Sequence, residues 1–189
     1  MTEPRNLLDL PAGLPVPVDD GACDHLPGMR LPLLALPATD GGIVDLSTLT
    51  GRSVVYVYPR TGRPDRPLPT GWDEIPGARG CTPQSCAYRD LAAEFAAVGA
   101  RVFGLSAQDT AYQREAVARL HLPFPLLSDE RLELATALAL PTFEVDGMTL
   151  IKRLTLVIDE GVIETVFYPV FPPDADAAKV AAWLQAHQA

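Results

Sequence analysis

The segment SVVYVY, residues 53–58, restricts the fold of this chain more than any other short stretch. It carries no charge and consists mainly of β-branched and aromatic side chains, which favour an extended strand. Strands that lack a polar face occur where both faces of a sheet are covered by other layers. The segment therefore predicts a central strand, with further layers packed on both sides of it.

Downstream of this strand, apolar patterns of helix type and of strand type alternate along the chain. The predicted helices are 83–98, 110–121, 129–139 and 174–187, and the predicted strands are 101–105, 124–127, 152–158 and 162–168. Ahead of the central strand, Asp40-Gly41-Gly42 separates two short apolar stretches, as in a β-hairpin. Strands that alternate with helices and end in a hairpin indicate an α/β fold, a three-layer sandwich around a central mixed β-sheet.

Two segments of the chain show no sustained period. Residues 1–26 are rich in Pro, Gly and Asp and are predicted to form an irregular N-terminal arm ahead of one domain, residues 27–189. Within that domain, residues 60–78 form a Pro/Gly-rich insertion whose composition excludes a helix or a central strand. Long loops of this kind are often functional, so a functional loop and a tolerated surface insertion both remain open.

The charge balance excludes some classes of partner. The chain has 15 Lys and Arg against 24 Asp and Glu, a net charge of −9, which argues against binding to nucleic acid. No uncharged apolar run approaches the roughly 18 residues that span a bilayer, so no membrane association is expected. Charged residues and prolines near the start argue against a signal peptide and predict the cytoplasm. There, three cysteines are more typical of reactive or core thiols than of a disulfide framework.

The strongest chemical signal lies at the start of a predicted helix. Thr82 suits an N-cap and Pro83 the first helical position, so the helix is expected to begin there. Cys81 then lies at the helix N-terminus, where unpaired N–H groups and the helix dipole favour a thiolate. The charge of the neighbouring Arg79 would act in the same direction. This placement predicts a nucleophilic cysteine.

A second cysteine, Cys86, follows five residues later in the same helix. On an ideal helix the two Cα atoms lie roughly 8.5 Å apart, whereas a disulfide requires less than about 7 Å. Cys81 and Cys86 are therefore expected to pair only if the first turns unwind. Two ordinary buried thiols remain an alternative. The spacing also differs from the thioredoxin C-x-x-C motif, which makes a general disulfide reductase less favoured.

The segment GCTPQSCAYRD, residues 80–90, resembles the active-site segment of peroxiredoxins of the peroxiredoxin Q type, the bacterioferritin comigratory proteins. Other segments resemble the family in the same order along the chain: LPATDGGIVDLSTLTGRSVVYVYP at 36–59, VFGLSAQD at 102–109, LPFPLLSD at 122–129 and RLTLVID at 153–159. These segments are distributed along a resemblance that covers roughly residues 27–187. The resemblance implies a thioredoxin-like fold and the reduction of hydroperoxides by a cysteine.

Three residues take roles from this resemblance. Cys81 matches the peroxidatic cysteine, which attacks the peroxide and becomes a sulfenic acid. Cys86 matches the resolving cysteine of those members that carry one in the same helix. Arg153 matches the arginine beside the peroxidatic sulfur, where its planar fork of donors would stabilise the thiolate and orient the peroxide.

The chain departs from the family pattern Pro-x-x-x-Thr-x-x-Cys ahead of Cys81. Ala78 stands where the family has the threonine, whose hydroxyl bonds the peroxide. Pro59 does follow the central strand as the family's proline does, so the intervening segment reads as an insertion. Thr61 and Thr82 are the nearby threonines that offer a replacement hydroxyl.

The remaining cysteine, Cys23, forms a C-x-H pair with His25 in the N-terminal arm. A zinc site needs four suitably spaced ligands, and besides Cys81 and Cys86 only His121 and His187 remain. No metal is therefore expected. Cys23 is interpreted as a bystander, with a resolving role as the alternative.

The sequence thus predicts a thiol-dependent peroxidase that reduces hydrogen peroxide or organic hydroperoxides and is restored by thioredoxin or a similar dithiol. No metal, flavin or haem cofactor is expected. Two alternatives stay open: a thiol–disulfide oxidoreductase, suggested by Ala78, and a non-catalytic redox sensor or binding module whose insertion contacts a partner.

Overall fold

A computed structural model describes residues 6–188, and strands and helices alternate through that range. The strands are β1 (Leu36–Pro37), β2 (Ile43–Val44), β3 (Arg52–Val57), β4 (Arg101–Ser106), β5 (Leu126–Ser128), β6 (Thr142–Val145), β7 (Met148–Ile151), β8 (Leu154–Asp159) and β9 (Val162–Phe167). The helices are α1 (Cys81–Asp90), α2 (Ala92–Ala97), α3 (Thr110–Leu120), α4 (Glu133–Ala137) and α5 (Asp176–Ala186). Short 3-10 helices span Leu46–Thr48, Trp72–Glu74 and Pro173–Ala175.

Strand β3 lies at the centre of a five-stranded mixed sheet with the order β5-β4-β3-β8-β9. It pairs in parallel with β4 and antiparallel with β8. After Arg52, every residue of β3 is buried, because layers cover both faces of the sheet. The prediction of a central strand at residues 53–58 is therefore confirmed.

The side chains of β3 alternate between two separate hydrophobic cores. Val54 and Tyr56 pack in a core that includes side chains of α1, α2, α3 and α5. Val55 and Val57 pack on the opposite face with side chains of α4, the β1–β2 hairpin and the N-terminal arm. Full burial of one such side chain contributes roughly 1.5–3 kcal/mol to folding. The predicted three-layer α/β sandwich is confirmed.

Some boundaries differ from the sequence-based expectation. The single helix expected at 83–98 is divided at Leu91, which separates α1 from α2. The helix expected at 129–139 is reduced to α4, because the Asp129 carboxylate accepts hydrogen bonds from the amides of Leu134 and Ala135 and fixes a loop before the helix. The β6–β7 hairpin was not predicted, although its Asp146-Gly147 turn is a typical hairpin signal.

The 60–78 insertion lies against the β6–β7 hairpin. Trp72 and Ala78 share a small hydrophobic cluster with Val145 and Leu150 of the hairpin. The amide of Thr70 donates to the carboxylate of Asp146 at 2.8 Å. The insertion is irregular, as predicted, apart from its one 3-10 turn, and its packing brings residues 77–80 to the start of α1.

The N-terminal arm is docked on the domain from residue 6 onward. Its residues Cys23 and Leu26 are buried in the hydrophobic core. The Asp20 carboxylate accepts hydrogen bonds from Lys152 at 3.0 Å and from the Tyr168 hydroxyl at 2.8 Å. The Lys152 hydrogen bond is the largest of the effects that lower the pKa of Asp20 to about 2. The arm is therefore held by apolar burial and by polar contacts. No helix among residues 6–188 is long and apolar enough to cross a membrane.

Candidate active site

Cys81 is the first residue of α1 and is 3% exposed. The N-cap is Gly80, so the helix begins two residues earlier than the Thr82 cap predicted from sequence. Pro83 still lies in the first turn, where its missing N–H costs no intrahelical hydrogen bond. The expected position of Cys81 at the helix N-terminus is therefore observed, with a different residue as the cap.

Gly80 adopts a left-handed backbone conformation, with φ of 105°. A Cβ at this position would lie 2.3 Å from Pro173 Cγ and 2.8 Å from Leu10 Cδ2. Only glycine fits such a contact at a positive φ without displacing its neighbours. The N-terminus of α1 is thus enclosed between the N-terminal arm and the segment that leads into α5.

Arg153 lies immediately before β8, and its guanidinium is buried beside Cys81. Its Nη2 atom lies 3.2 Å from the Cys81 sulfur. The same atom donates to the carbonyls of Ala78 at 3.0 Å and Arg79 at 3.2 Å, while Nε donates to the Gly77 carbonyl at 3.2 Å. The structure therefore brings together two of the predicted site residues, and one guanidinium contacts both the sulfur and the loop before it.

The Cys81 sulfur has a cationic donor and a carbonyl acceptor as neighbours. The Arg153 guanidinium lies 3.2 Å from it, and the N-terminus of α1 directs the positive end of the helix dipole there. The sulfur also contacts the Ala78 carbonyl at 3.6 Å, a geometry in which a thiol proton is donated. The sulfur thus has a partner for a thiol proton and a separate partner for negative charge.

Cys86 lies on the same continuous helix and is half-buried. Burial raises the pKa of its thiol, and the nearby Arg89 partly offsets this effect. Both cysteines are free thiols in this structure. Because α1 is unbroken from Cys81 to Asp90, the two residues have the helical separation of roughly 8.5 Å, which excludes a disulfide in this conformation.

The far half of α1 is anchored by Tyr88. This buried ring stacks on Tyr56 of β3, with ring centroids 4.4 Å apart, and on Phe95 of α2 at 5.4 Å. Its hydroxyl donates to Asp176 at 2.8 Å. The residues between Cys81 and Cys86 carry no comparable aromatic anchor.

Other residues that the sequence placed near the cysteine have different contacts. The Arg79 guanidinium forms an ion pair with Asp73 at 3.1 Å, so it does not support Cys81 as expected. The Thr61 hydroxyl donates to Gln108 Oε1 at 3.1 Å and is occupied there. Thr82, which is buried next to Cys81, stays a prediction for the replacement hydroxyl.

Sequence reasoning missed two polar residues of the site, Gln84 and Asp176. Arg153 Nη1 donates to Gln84 Oε1, and Gln84 Nε2 donates to Asp176 Oδ2 at 2.9 Å. Asp176 is 1% exposed, and its burial raises the pKa of its carboxyl. The helical spacing from Cys81 to Gln84 was an available signal for Gln84, because residues three apart share one face of a helix.

Cys23 is separate from this cluster, in the core on the opposite face of the sheet. Burial raises the pKa of its thiol to about 12. The ring of His25 contacts the Leu138 carbonyl at 2.8 Å. Within residues 6–188, no group of three His, Cys, Asp or Glu side chains is arranged to hold a metal ion.

An apolar pocket reaches Arg153 from the protein surface. It is lined by residues 16–18 of the N-terminal arm, Pro76 of the insertion, Lys152, Arg153 and residues 168–170 after β9. Among these lining residues, Arg153 also contacts the Cys81 sulfur.

Comparison with known proteins agrees with this fold. A family model described as Redoxin matches residues 26–184. The peroxiredoxin Q of rice (Oryza sativa subsp. japonica), named as chloroplastic, is 36% identical over 160 residues, which cover 84% of this chain and 66% of the rice protein. The peroxiredoxin Q of Gentiana triflora is 31% identical over 186 residues, which cover 95% of this chain and 78% of that protein.

Among solved structures, the peroxidoxin BcpB of Mycobacterium tuberculosis matches with a TM-score of 0.69 and 29% identity, over 87% of this chain and all of that one. The chain belongs to the redoxin family, and within it to the peroxiredoxins of the peroxiredoxin Q type. The resemblance and the thioredoxin-like fold expected from sequence are confirmed. The chain spans just under two thirds of the length of the rice relative.

Proposed function

We propose that the protein is a thiol-dependent peroxidase that reduces hydrogen peroxide or organic hydroperoxides. Its family membership supports this function, and one observation carries it: the 3.2 Å contact between Arg153 Nη2 and the Cys81 sulfur at the start of α1. A cation and a helix N-terminus at one sulfur are the environment that a nucleophilic thiolate requires.

In the first step, the Cys81 thiolate attacks one oxygen of the hydroperoxide. An S–O bond forms as the O–O bond breaks, and the second oxygen leaves, takes a proton and becomes an alcohol or water. The sulfur is oxidised to a sulfenic acid, and the peroxide is reduced by two electrons. The donors of Arg153 stabilise negative charge on the sulfur and on the oxygens, and the apolar pocket beside Arg153 is the proposed entry route.

In the second step, the Cys86 thiolate attacks the sulfenic sulfur of Cys81. The S–S bond forms, the S–OH bond breaks, and the hydroxide takes a proton and leaves as water. The helical separation requires the first turn of α1 to unwind before this attack. An external dithiol, proposed to be thioredoxin or a similar protein, then reduces the disulfide by two thiol–disulfide exchanges. The cytoplasm remains the proposed compartment.

The decisive experiment is peroxide consumption in the presence of a thioredoxin system. The wild type should consume hydrogen peroxide, and Cys81→Ser should lose this activity. Cys23→Ser is the matched control, because Cys23 lies in the opposite core, and it should keep the wild-type rate. Wild-type protein without peroxide turnover, or an active Cys81→Ser variant, would refute the proposal.

A thiol–disulfide oxidoreductase is the second candidate, and one observation favours it. Ala78 stands at the family's threonine position, and the hydroxyl of Thr61 is bonded to Gln108 instead. This candidate predicts that wild-type protein reduces disulfide substrates without consuming peroxide. A non-catalytic sensor or binding module is less favoured, because apolar side chains of the insertion pack on the β6–β7 hairpin.

A further inference from the structure

Asp176 is a buried carboxylate that the proposed peroxidase steps do not use. It is the first residue of α5, and its Oδ2 atom accepts three hydrogen bonds. The donors are Gln84 Nε2 at 2.9 Å, the Tyr88 hydroxyl at 2.8 Å and the Thr155 hydroxyl at 2.8 Å. Burial raises the pKa of Asp176, because a charged carboxylate loses its hydration there. Burying this carboxylate costs folding free energy that an apolar side chain would not cost. Its presence therefore points to a function other than stability.

Gln84 connects Asp176 to the arginine of the site. A glutamine amide has a donor end and an acceptor end, and the two ends exchange places when the amide rotates by 180°. Arg153 offers only donors, so it needs the oxygen of Gln84. Asp176 offers an acceptor, so it holds the nitrogen. The carboxylate and the guanidinium therefore select the same amide orientation, in which Gln84 Oε1 faces Arg153 Nη1 and Gln84 Nε2 faces Asp176.

The reversed amide would carry two unfavourable contacts. Its NH₂ group would face the guanidinium donors of Arg153, and its oxygen would face the carboxylate of Asp176. Buried polar groups left without a partner cost roughly 1–3 kcal/mol each. A neutral apolar residue at position 176 would remove one of these two selecting contacts and leave the Gln84 nitrogen without its acceptor, so the amide would be held less firmly.

We propose that Asp176 is a positioning residue that acts through Gln84 to hold the Arg153 guanidinium against the Cys81 sulfur. This role rests on the proposed peroxidase function, in which Arg153 stabilises the reacting thiolate. Asp176 itself does not touch the sulfur. Its effect is to fix Nη1 of the guanidinium, so that Nη2 stays directed at Cys81.

The test measures the reactivity of Cys81 in a Cys86→Ser background, so that one thiol of α1 reacts. Two readouts are used: the pH midpoint of Cys81 alkylation by iodoacetamide, and the rate constant for its oxidation by hydrogen peroxide in a single turnover. Asp176→Leu should raise the alkylation midpoint and slow oxidation about tenfold, the loss expected for about one hydrogen bond to the guanidinium. Asp176→Asn keeps an acceptor oxygen and should stay within about threefold of the background rate.

Two further variants separate positioning from folding. Gln84→Met breaks the connection while leaving Asp176 in place, and it should reproduce the effect of Asp176→Leu even if the latter folds poorly. Val180→Ala creates a defect in the buried face of α5 without touching the carboxylate, and it should leave the alkylation midpoint unchanged.

Background values of both readouts for Asp176→Leu and Gln84→Met would overturn the proposal. So would an Asp176→Asn variant as slow as Asp176→Leu, because the charge and not the acceptor would then be responsible. The alkylation midpoint does not depend on peroxide. If the wild-type Cys81 resists peroxide while the midpoints shift as expected, the peroxidase function fails and the positioning role stands.

Discussion

Arg153 Nη2 lies 3.2 Å from the Cys81 sulfur and 3.0 Å from the carbonyl oxygen of Ala78. One nitrogen of the guanidinium therefore contacts both the reactive atom and the backbone that leads into its helix. The remaining donors of Arg153 reach the Gly77 carbonyl and Gln84. Arg153 thus places a positive charge beside the sulfur and also holds the backbone of residues 77–79 by hydrogen bonds.

This double contact predicts that lysine cannot replace the arginine. Arg153→Lys keeps the charge but loses the planar fork, so oxidation of Cys81 by peroxide should slow roughly 10- to 100-fold. Arg153→Ala should be slower still. Stopped-flow measurement of the oxidation rate checks both variants.

Arg79→Ala is the control for these variants, because the Arg79 guanidinium is bound to Asp73 and does not contact the sulfur. It should retain the wild-type oxidation rate within about threefold, as expected for a partly exposed ion pair. If Arg79→Ala is slow and Arg153→Ala is fast, the assignment of the arginine is wrong.

The second prediction concerns the disulfide. After one equivalent of peroxide, peptide mapping should find Cys81 joined to Cys86 within one chain, and hydrogen exchange over residues 81–86 should be faster than in the reduced protein. The physical reason is that the intact helix separates the two residues beyond the roughly 7 Å limit of a disulfide. A Cys81–Cys23 link, or a bond between two chains, would place the resolving role elsewhere.

The third prediction is a pH dependence of the resolving step. The thiolate of Cys86 is the attacking species, and burial raises the pKa of this thiol above its ordinary value. At neutral pH the thiol is therefore mostly protonated, and disulfide formation should accelerate about tenfold per unit between pH 6 and 8. Quenched-flow trapping of the sulfenic acid measures this rate. A rate independent of pH would show that helix unwinding, and not thiol ionisation, limits resolution.

The fourth prediction separates backbone strain from steric contact at Gly80. Gly80→Ala forces a side chain into a positive φ and against Pro173, where a Cβ would lie 2.3 Å from Cγ. The variant should lower the free energy of unfolding in urea by about 2–5 kcal/mol, the sum of the left-handed penalty and overpacking. Gly99→Ala is the matched control. Gly99 also has a positive φ, 71°, but a Cβ there would have no atom within 4 Å. This variant should lower the free energy of unfolding by about 1–2 kcal/mol. Equal decreases in the free energy of unfolding for the two variants would show that Pro173 moves aside without cost.

The sequence predicted those parts of the fold in which local pattern and tertiary packing agree. Residues 53–58 are uncharged and β-branched, and β3 is indeed buried on both faces. The start of α1 was displaced by two residues, because the positive φ of Gly80 depends on the close approach of Pro173, which no local pattern reports. The β6–β7 hairpin was not predicted, although Asp146-Gly147 is a typical hairpin turn sequence.

For the site, sequence proposed Cys81 and Arg153, and the fold places them together. Asp176 was missed because it lies 92 residues from Gln84 and outside every quoted motif. Gln84 lies within the 80–90 segment, but its amide carries no reactive group, and its contact with Arg153 depends on the tertiary fold. Arg79 was favoured for its adjacency to Cys81, yet adjacency in sequence does not direct a side chain, and Asp73 binds it.

The stacking of Tyr88 on Tyr56 sets a boundary for the motion that resolution requires. Unwinding of α1 can begin at Gly80 and pass Cys86. It should stop at Tyr88, because the Tyr88 ring packs between Tyr56 of β3 and Phe95 of α2. Each catalytic cycle would then unwind and reform about two helical turns, residues 81–87, and leave the helix beyond Tyr88 intact. The oxidised protein should consequently lose little thermal stability, since its two cores never come apart.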